Sequence, residues 1–228
     1  MNWKHYFTTS VGRKLVMGFT GLFLVLFLLV HCYVNSMIFI SRNAFNAAAD
    51  FMGTTVAIRI MEIGLFAGII LHIIQGLMLA RMNKAKRSVG YATNATNTKQ
   101  VPWYSRSMTL LGTLVMLFLI MHISHFWVPS RITHDLNATK LPNGIETHDL
   151  FQKMLDVFQS PLVVILYLLG VASLAFHLFH GFFSACQTMG FTSHKYKNFL
   201  KGFGIVFTVI VCLLFAAMPI SMYMGWVA

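Results

Sequence analysis

Long apolar stretches separated by short polar ones dominate the pattern along the chain. Five of them, 15–40, 56–80, 108–128, 161–187 and 199–224, offer the roughly 20 apolar residues a helix needs to cross a hydrocarbon core of about 30 Å. The pattern predicts an all-α, polytopic membrane protein of five transmembrane helices in a single domain, residues 1–228, with four of the helices in an antiparallel bundle. Pro161 suits a first helical turn, where its missing N–H is not needed. The first run follows Arg13 and Lys14, as in a signal peptide. It runs far past the about 7–15 residues of an h-region and no small-residue cleavage site follows, so it reads as a retained helix. Between runs three and four, residues 129–160 form a long polar connection, in which 147–158 could form a short amphipathic element over the outer surface.

Composition sharpens this picture. Hydrophobic residues make up 57% of the 228 and charged residues 10%, against roughly 25% charged in soluble domains. No polar shell can be built from such a chain, so a soluble enzyme is excluded. Disorder is excluded by 21 Phe and 15 Met, because apolar content of this kind drives burial. The net charge of +11 suggests nucleic acid until its distribution is read. The N-terminus (Lys4, Arg13, Lys14), the second loop (Arg81, Lys84, Lys86, Arg87, Lys99, Arg106) and the fourth (Lys195, Lys197, Lys201) hold 12 of the 17 cations. The first and third loops hold Arg42, Arg131, Lys140 and Lys153 and most of the acids. This is the positive-inside signal. It places the N-terminus inside and the C-terminus outside a cell inner (cytoplasmic) membrane, in contact with lipid headgroups and not with nucleic acid. Trp103, Trp127 and Trp226 fall at helix ends, as an interfacial belt would have them. Cys32, Cys186 and Cys212 form no zinc or covalent-haem motif.

Six of the ten histidines lie in the apolar runs: His31, His72, His122, His125, His177 and His180. An ionisable side chain in hydrocarbon costs a few kcal/mol, so each needs a partner. Runs one to four each carry at least one and the fifth none. His31 lies 17 residues past Lys14, His72 13 past Arg59, His122 16 past Arg106 and His177 16 past Pro161. These are depths of about 20–26 Å. Alternate helices enter from opposite sides, so His31 and His122 share a level nearer the outer face. His72 and His177 share one nearer the inner face. In a four-helix antiparallel bundle, helices one and three, and two and four, lie on diagonals, so each level opposes two imidazoles. Such a pair across a flat apolar space suits a six-coordinate haem.

Three other readings compete for these residues. They are polar packing between helices, a proton relay or transport site using acids, and metal transport, for which zinc would need converging ligands. His125 and His180 follow His122 and His177 by three residues on nearly the same faces, and either could replace its neighbour as ligand. Depth favours His122 and His177. His125, near Pro129, and His180 remain candidates for contact with a haem propionate or a quinone, with plain packing equally open. Gly76 and Gly181 would let a porphyrin approach the backbone or serve ordinary helix packing. His5, His134, His148 and His194 read as solvated loop residues.

The carriers of a family likeness follow in order along nearly the whole chain. They are His31-Cys-Tyr-Val-Asn35, Ala44-Phe-Asn-Ala-Ala-Ala-Asp-Phe-Met52, Glu62 with His72-Ile-Ile-Gln-Gly76, His122 with Phe126-Trp127, and Phe176-His177-Leu-Phe-His-Gly181. With them the sequence resembles the di-haem cytochrome b membrane-anchor subunit of succinate dehydrogenases and fumarate reductases (succinate:quinone oxidoreductases), of the single-polypeptide, five-helix type. The resemblance implies two non-covalent haem b groups, the outer on His31 and His122 and the inner on His72 and His177. It implies an iron–sulfur subunit on the basic inner face, carrying a flavoprotein (FAD) subunit that interconverts succinate and fumarate. This chain alone would not catalyse that conversion. A quinone, in this family usually menaquinone, would react near the outer haem. Glu62 would then exchange the quinone proton, with Arg59 and Asn35 as hydrogen-bonding residues. An Arg59–Glu62 ion pair at i and i+3 is the plain alternative. Where some menaquinol-oxidising members carry a glutamate two residues before the helix-four ligand, this chain has Ala175, which speaks against a proton route through that helix. Di-haem anchors of nitrate reductases, formate dehydrogenases or hydrogenases are the runner-up.

Overall fold

A computed structural model describes residues 9–85 and 107–227. Lys4, His5, Lys86, Arg87, Lys99, Trp103 and Arg106, which entered the charge, belt and histidine assignments, lie outside the described residues. The chain is a multi-pass, all-α membrane protein, with five helices among the described residues long and apolar enough to span a bilayer.

Helix α1 (Ser10–Ser36) starts where the Thr9 hydroxyl accepts the Gly12 N–H at 3.1 Å. This satisfies one of the donors a helix N-terminus leaves free. A tight turn, Met37–Phe39, leads to α2 (Arg42–Thr54), capped by Ser41 accepting the Ala44 N–H at 3.1 Å. The apolar pattern predicts a loop here, because the segment is too short and too polar to register as a span. One residue later α3 (Val56–Ala85) begins, and it continues past residue 80 because Arg81, Met82 and Lys84 are good helix formers beyond the apolar boundary. Helix α4 (Met108–His122) is shorter than its apolar run. Its continuation, Ile123–Trp127 and Pro129–Thr133, winds in wider π-type turns. Pro129 has no N–H to give the His125 carbonyl, so the α-helical ladder cannot pass through it. The polar connection then forms a small antiparallel hairpin, β1 (Ala138–Lys140) and β2 (Glu146–His148), with Ala138 opposite His148. Helix α5 (Leu150–Phe158) follows, starting three residues later than the amphipathic segment expected at 147. Helices α6 (Pro161–Thr188) and α7 (Lys197–Tyr223) complete the chain.

Helix α1 packs on α3 and α6, and α4 packs on the same two helices. The four make a ring in which α1 and α4 stand across one diagonal and α3 and α6 across the other. Helix α7 lies outside it, along α6 and touching α1. With lipid on the outside, close fit and not hydrophobic transfer must hold spans together. A Cβ on Gly170 would meet the Phe118 ring at 2.3 Å, and one on Gly204 the Phe182 ring at 2.5 Å. Those two bare positions bring α4 onto α6 and α6 onto α7.

Helices α2 and α5 and the hairpin cover one end of the spans, here termed the cap face. The opposite end, where α1 begins, is the N-terminal face. Under the cap, Ile38, Phe45, Phe151, Met154 and Phe158 bury against Val164 and Tyr167 of α6 and Met218 and Met222 of α7. A polar knot ties the cap together. Asp149 pairs with Arg42 and accepts the Asn46 amide at 2.9 Å, while Asn46 accepts the Phe151 N–H at 3.0 Å. Burial alone would raise the Asp149 pKa, but its bonds with Arg42, Asn46 and the Gln152 N–H outweigh this and hold it below the ordinary carboxylate value.

Candidate functional site

Four histidines meet in two pairs across the ring. Nearer the cap face, the His31 and His122 rings have centroids 5.7 Å apart with planes at 87°. Nearer the N-terminal face, His72 and His177 lie 6.3 Å apart at 68°. The first pair belongs to α1 and α4 and the second to α3 and α6, the two diagonals. His125 does not join them. Its Nδ1 is 3.0 Å from the Tyr167 hydroxyl and its ring stacks on the tyrosine 5.8 Å away. His180 is half-buried on α6 with no hydrogen bond among the described residues.

The nitrogens within each ring are not equivalent. His72 Nδ1 is 3.1 Å from the Thr20 hydroxyl and His31 Nδ1 is 3.4 Å from the Asn35 amide. Nδ1 of His122 and of His177 is buried with no hydrogen-bond partner among the described residues. No hydrogen bond engages Nε2 of any of the four among the described residues. Each ring therefore turns Nδ1 toward protein and keeps Nε2 uncommitted.

Metal–imidazole bonds are about 2 Å long, so two rings on opposite sides of one ion have centroids about 6 Å apart. Both pairs meet that spacing. Among the described residues no three His, Cys, Asp or Glu side chains converge on one point, which a protein-enclosed zinc would require. A haem iron takes four equatorial ligands from its own porphyrin and needs only two from the protein. The walls also suit a flat apolar group. Phe27 stacks on His31 at 5.2 Å and Phe118 on His122 at 5.7 Å, and Phe215 of α7 stands 5.7 Å from His31. A Cβ on Gly21 would lie 3.4 Å from the His72 ring and one on Gly112 3.6 Å from the His177 ring, so both inner rings rest on bare backbone. The residues present fit two bis-imidazole haems.

A second centre lies at the cap end of α3. Glu62 binds Arg59 at 2.7 Å and also accepts the indole N–H of Trp127. Arg131 approaches the same carboxylate at 3.9 Å. The Trp127 ring meets Phe66 edge-on at 4.9 Å. These groups flank an open hollow of about 290 Å³ lined by Val56, Arg59, Ile60, Glu62, Ile63, Phe66 and Trp127. The hollow presents a carboxylate, a guanidinium and an aromatic wall beside apolar surface. The Asn35 amide does not reach out to it. It donates to the His31 carbonyl at 2.8 Å on its own helix.

Sequence reasoning left several of these partners unread. In the sequence Trp127 reads as part of the aromatic belt and of the family likeness, and Arg131 as part of the charge balance, with no contact to Glu62 indicated for either. Thr20 and Tyr167 carried no assignment. Nothing local in the sequence reports that the wide turns around Pro129 aim Trp127 and Arg131 at α3. Ala175 lines an apolar hollow between α6 and α7.

The chain is similar to the succinate dehydrogenase cytochrome b558 subunit of Bacillus subtilis (strain 168). The two are 26% identical over 168 residues, which is 73% of each chain. No family model matches the chain, and no solved structure does.

Proposed function

We propose that this protein is the cytochrome b membrane anchor of a succinate:quinone oxidoreductase. In this reading it passes electrons between membrane quinone, menaquinone by the family's habit, and a flavoprotein and iron–sulfur pair on its N-terminal face. The observation that carries the reading is the two imidazole pairs, stacked at two levels on the two diagonals of one helix ring, each with uncommitted Nε2 atoms. Similarity to a succinate dehydrogenase cytochrome b subunit supports it over the anchors of molybdenum or nickel enzymes. His31 and His122 would hold one haem b near the cap face, and His72 and His177 a second near the N-terminal face. When bound, such haems supply one-electron carriers at two depths of the dielectric barrier.

The side chains around the hollow perform the proton half of the reaction. Oxidation of a quinol releases two electrons and two protons. An ionised carboxylate only accepts hydrogen bonds, so Glu62 can take the proton of one quinol hydroxyl placed against it, pass it to solvent through the open hollow, and then take the second in the same way. Arg59 and Trp127 fix the direction in which that carboxylate points. In the reverse direction the same group returns a proton to the quinone oxygen. The positive-inside distribution supports a reading with the cap face outside, where proton exchange would occur, and with the cationic N-terminal face against the soluble subunits.

Purification from native membranes tests the assignment. It predicts co-purification with a flavin-containing partner and succinate or fumarate turnover coupled to quinone. A stable complex with a molybdenum or nickel protein instead would contradict it.

A further inference from the structure

We propose that Thr20 is a positioning residue for the haem pair on α3 and α6: its hydroxyl fixes the tautomer and aim of His72. The inference rests on the haem reading above and deepens it.

Thr20 is 4% exposed, so no water competes for its hydroxyl. The Oγ1 atom lies 2.9 Å from the Val16 carbonyl and 3.2 Å from that of Met17. A hydroxyl has one hydrogen, and the carbonyl of the preceding turn is its ordinary acceptor in a helix. Toward His72 Nδ1, 3.1 Å away, the oxygen is then left with acceptor capacity only. The proton of a neutral imidazole must accordingly sit on Nδ1, which leaves the Nε2 lone pair for a metal. The ring cannot drift from this bond. Gly21, the next residue, supplies the floor on which Cε1 rests, an ideal Cβ there being 3.4 Å away. The opposed ring, His177, has the same glycine floor at Gly112 but no partner on Nδ1 among the described residues. Among those residues only one of the two ligands is held this way.

An acceptor on the far nitrogen makes a ligating imidazole more basic. A more basic ligand stabilises ferric over ferrous iron, so the Thr20 bond lowers the potential of this haem. Loss of the hydroxyl should raise it.

The test is redox titration of the purified complex with optical and electron paramagnetic resonance detection, on wild type, Thr20→Val and Thr20→Ser. Thr20→Val keeps the side-chain shape and removes the acceptor. The ferric/ferrous equilibrium of one haem should shift about tenfold toward ferrous, about 59 mV for a one-electron couple. Its ferric resonance should move while the other haem stays unchanged, and Thr20→Ser should restore both. If Thr20→Val loses one haem and Thr20→Ser keeps it at the wild-type potential, the hydroxyl is again responsible. Unchanged potentials and resonances in Thr20→Val would overturn the inference, as would the same defect in Thr20→Ser, since a packing role needs no acceptor. A wild-type complex without haem would overturn the parent reading instead, before any variant is compared.

Discussion

Glu62 holds more than its helical neighbour. An exposed i, i+3 ion pair with Arg59 alone would be worth well under about 1 kcal/mol, and its removal would matter little. The indole N–H of Trp127 and the guanidinium of Arg131 reach the same carboxylate from another span. The group is thereby oriented at the lip of an apolar hollow. Glu62→Gln keeps the size and much of the hydrogen bonding but cannot take up a proton at neutral pH. Steady-state quinol oxidation should fall by about 10²–10⁴-fold, the usual worth of a positioned general base, with haem content and spectrum kept. Turnover at the wild-type rate would reduce Glu62 to an ion-pair residue.

The elements show how far a linear pattern reaches. Five spans and four histidine depths were legible because each rests on one period, the 1.5 Å rise of a helix, over stretches too long to be ambiguous. Helix α2 was not, although Ser41 before Phe45 is a capping signal. Its apolar content is too low and its length too short for a pattern tuned to membrane spans. The hairpin was missed for the opposite reason, since three-residue strands carry no pattern. The contacts of Trp127 and Arg131 with Glu62 lie beyond local reading because they join residues more than sixty positions apart. The cap depends on a similar long-range knot. Asp149 holds α5 to α2 through Arg42 and Asn46, and its pKa is lowered in the fold. That stabilisation is complete above the ordinary aspartate value of about 3.9 and disappears as pH falls through the lower folded value. Asp149→Ala leaves the Asn46 amide unpaired and should loosen the cap by about 2–3 kcal/mol. Hydrogen exchange should then speed up in residues 42–54 and 150–158 while the spans keep their protection. Acidification of the wild type into that window should mimic the variant, and exchange in Asp149→Ala no faster than in the wild type at neutral pH would contradict this role.

At the scale of the whole molecule, the ring of α1, α3, α4 and α6 turns a sequence regularity into a path. Antiparallel neighbours put alternate helices on diagonals, so histidines at matched depths oppose each other whatever the loops do. Helix α7 contributes no histidine and stands outside the ring, adding Phe215 beside His31 and a packed flank to α6. The cap covers one end and leaves the hollow at Glu62 on the same side as the His31–His122 level. The other level is on the cationic side. In the proposed function, proton chemistry would take place at one end and electron exchange with soluble partners at the other. The most direct measurement is haem b quantified per polypeptide, with its absorbance spectrum, in the purified wild type and in His72→Ala. Two haems in the wild type, and one in the variant with the cap-side haem retained, are the expected result. No haem in the wild type, or two still bound after His72 is removed, would contradict the pairing on which the electron path depends.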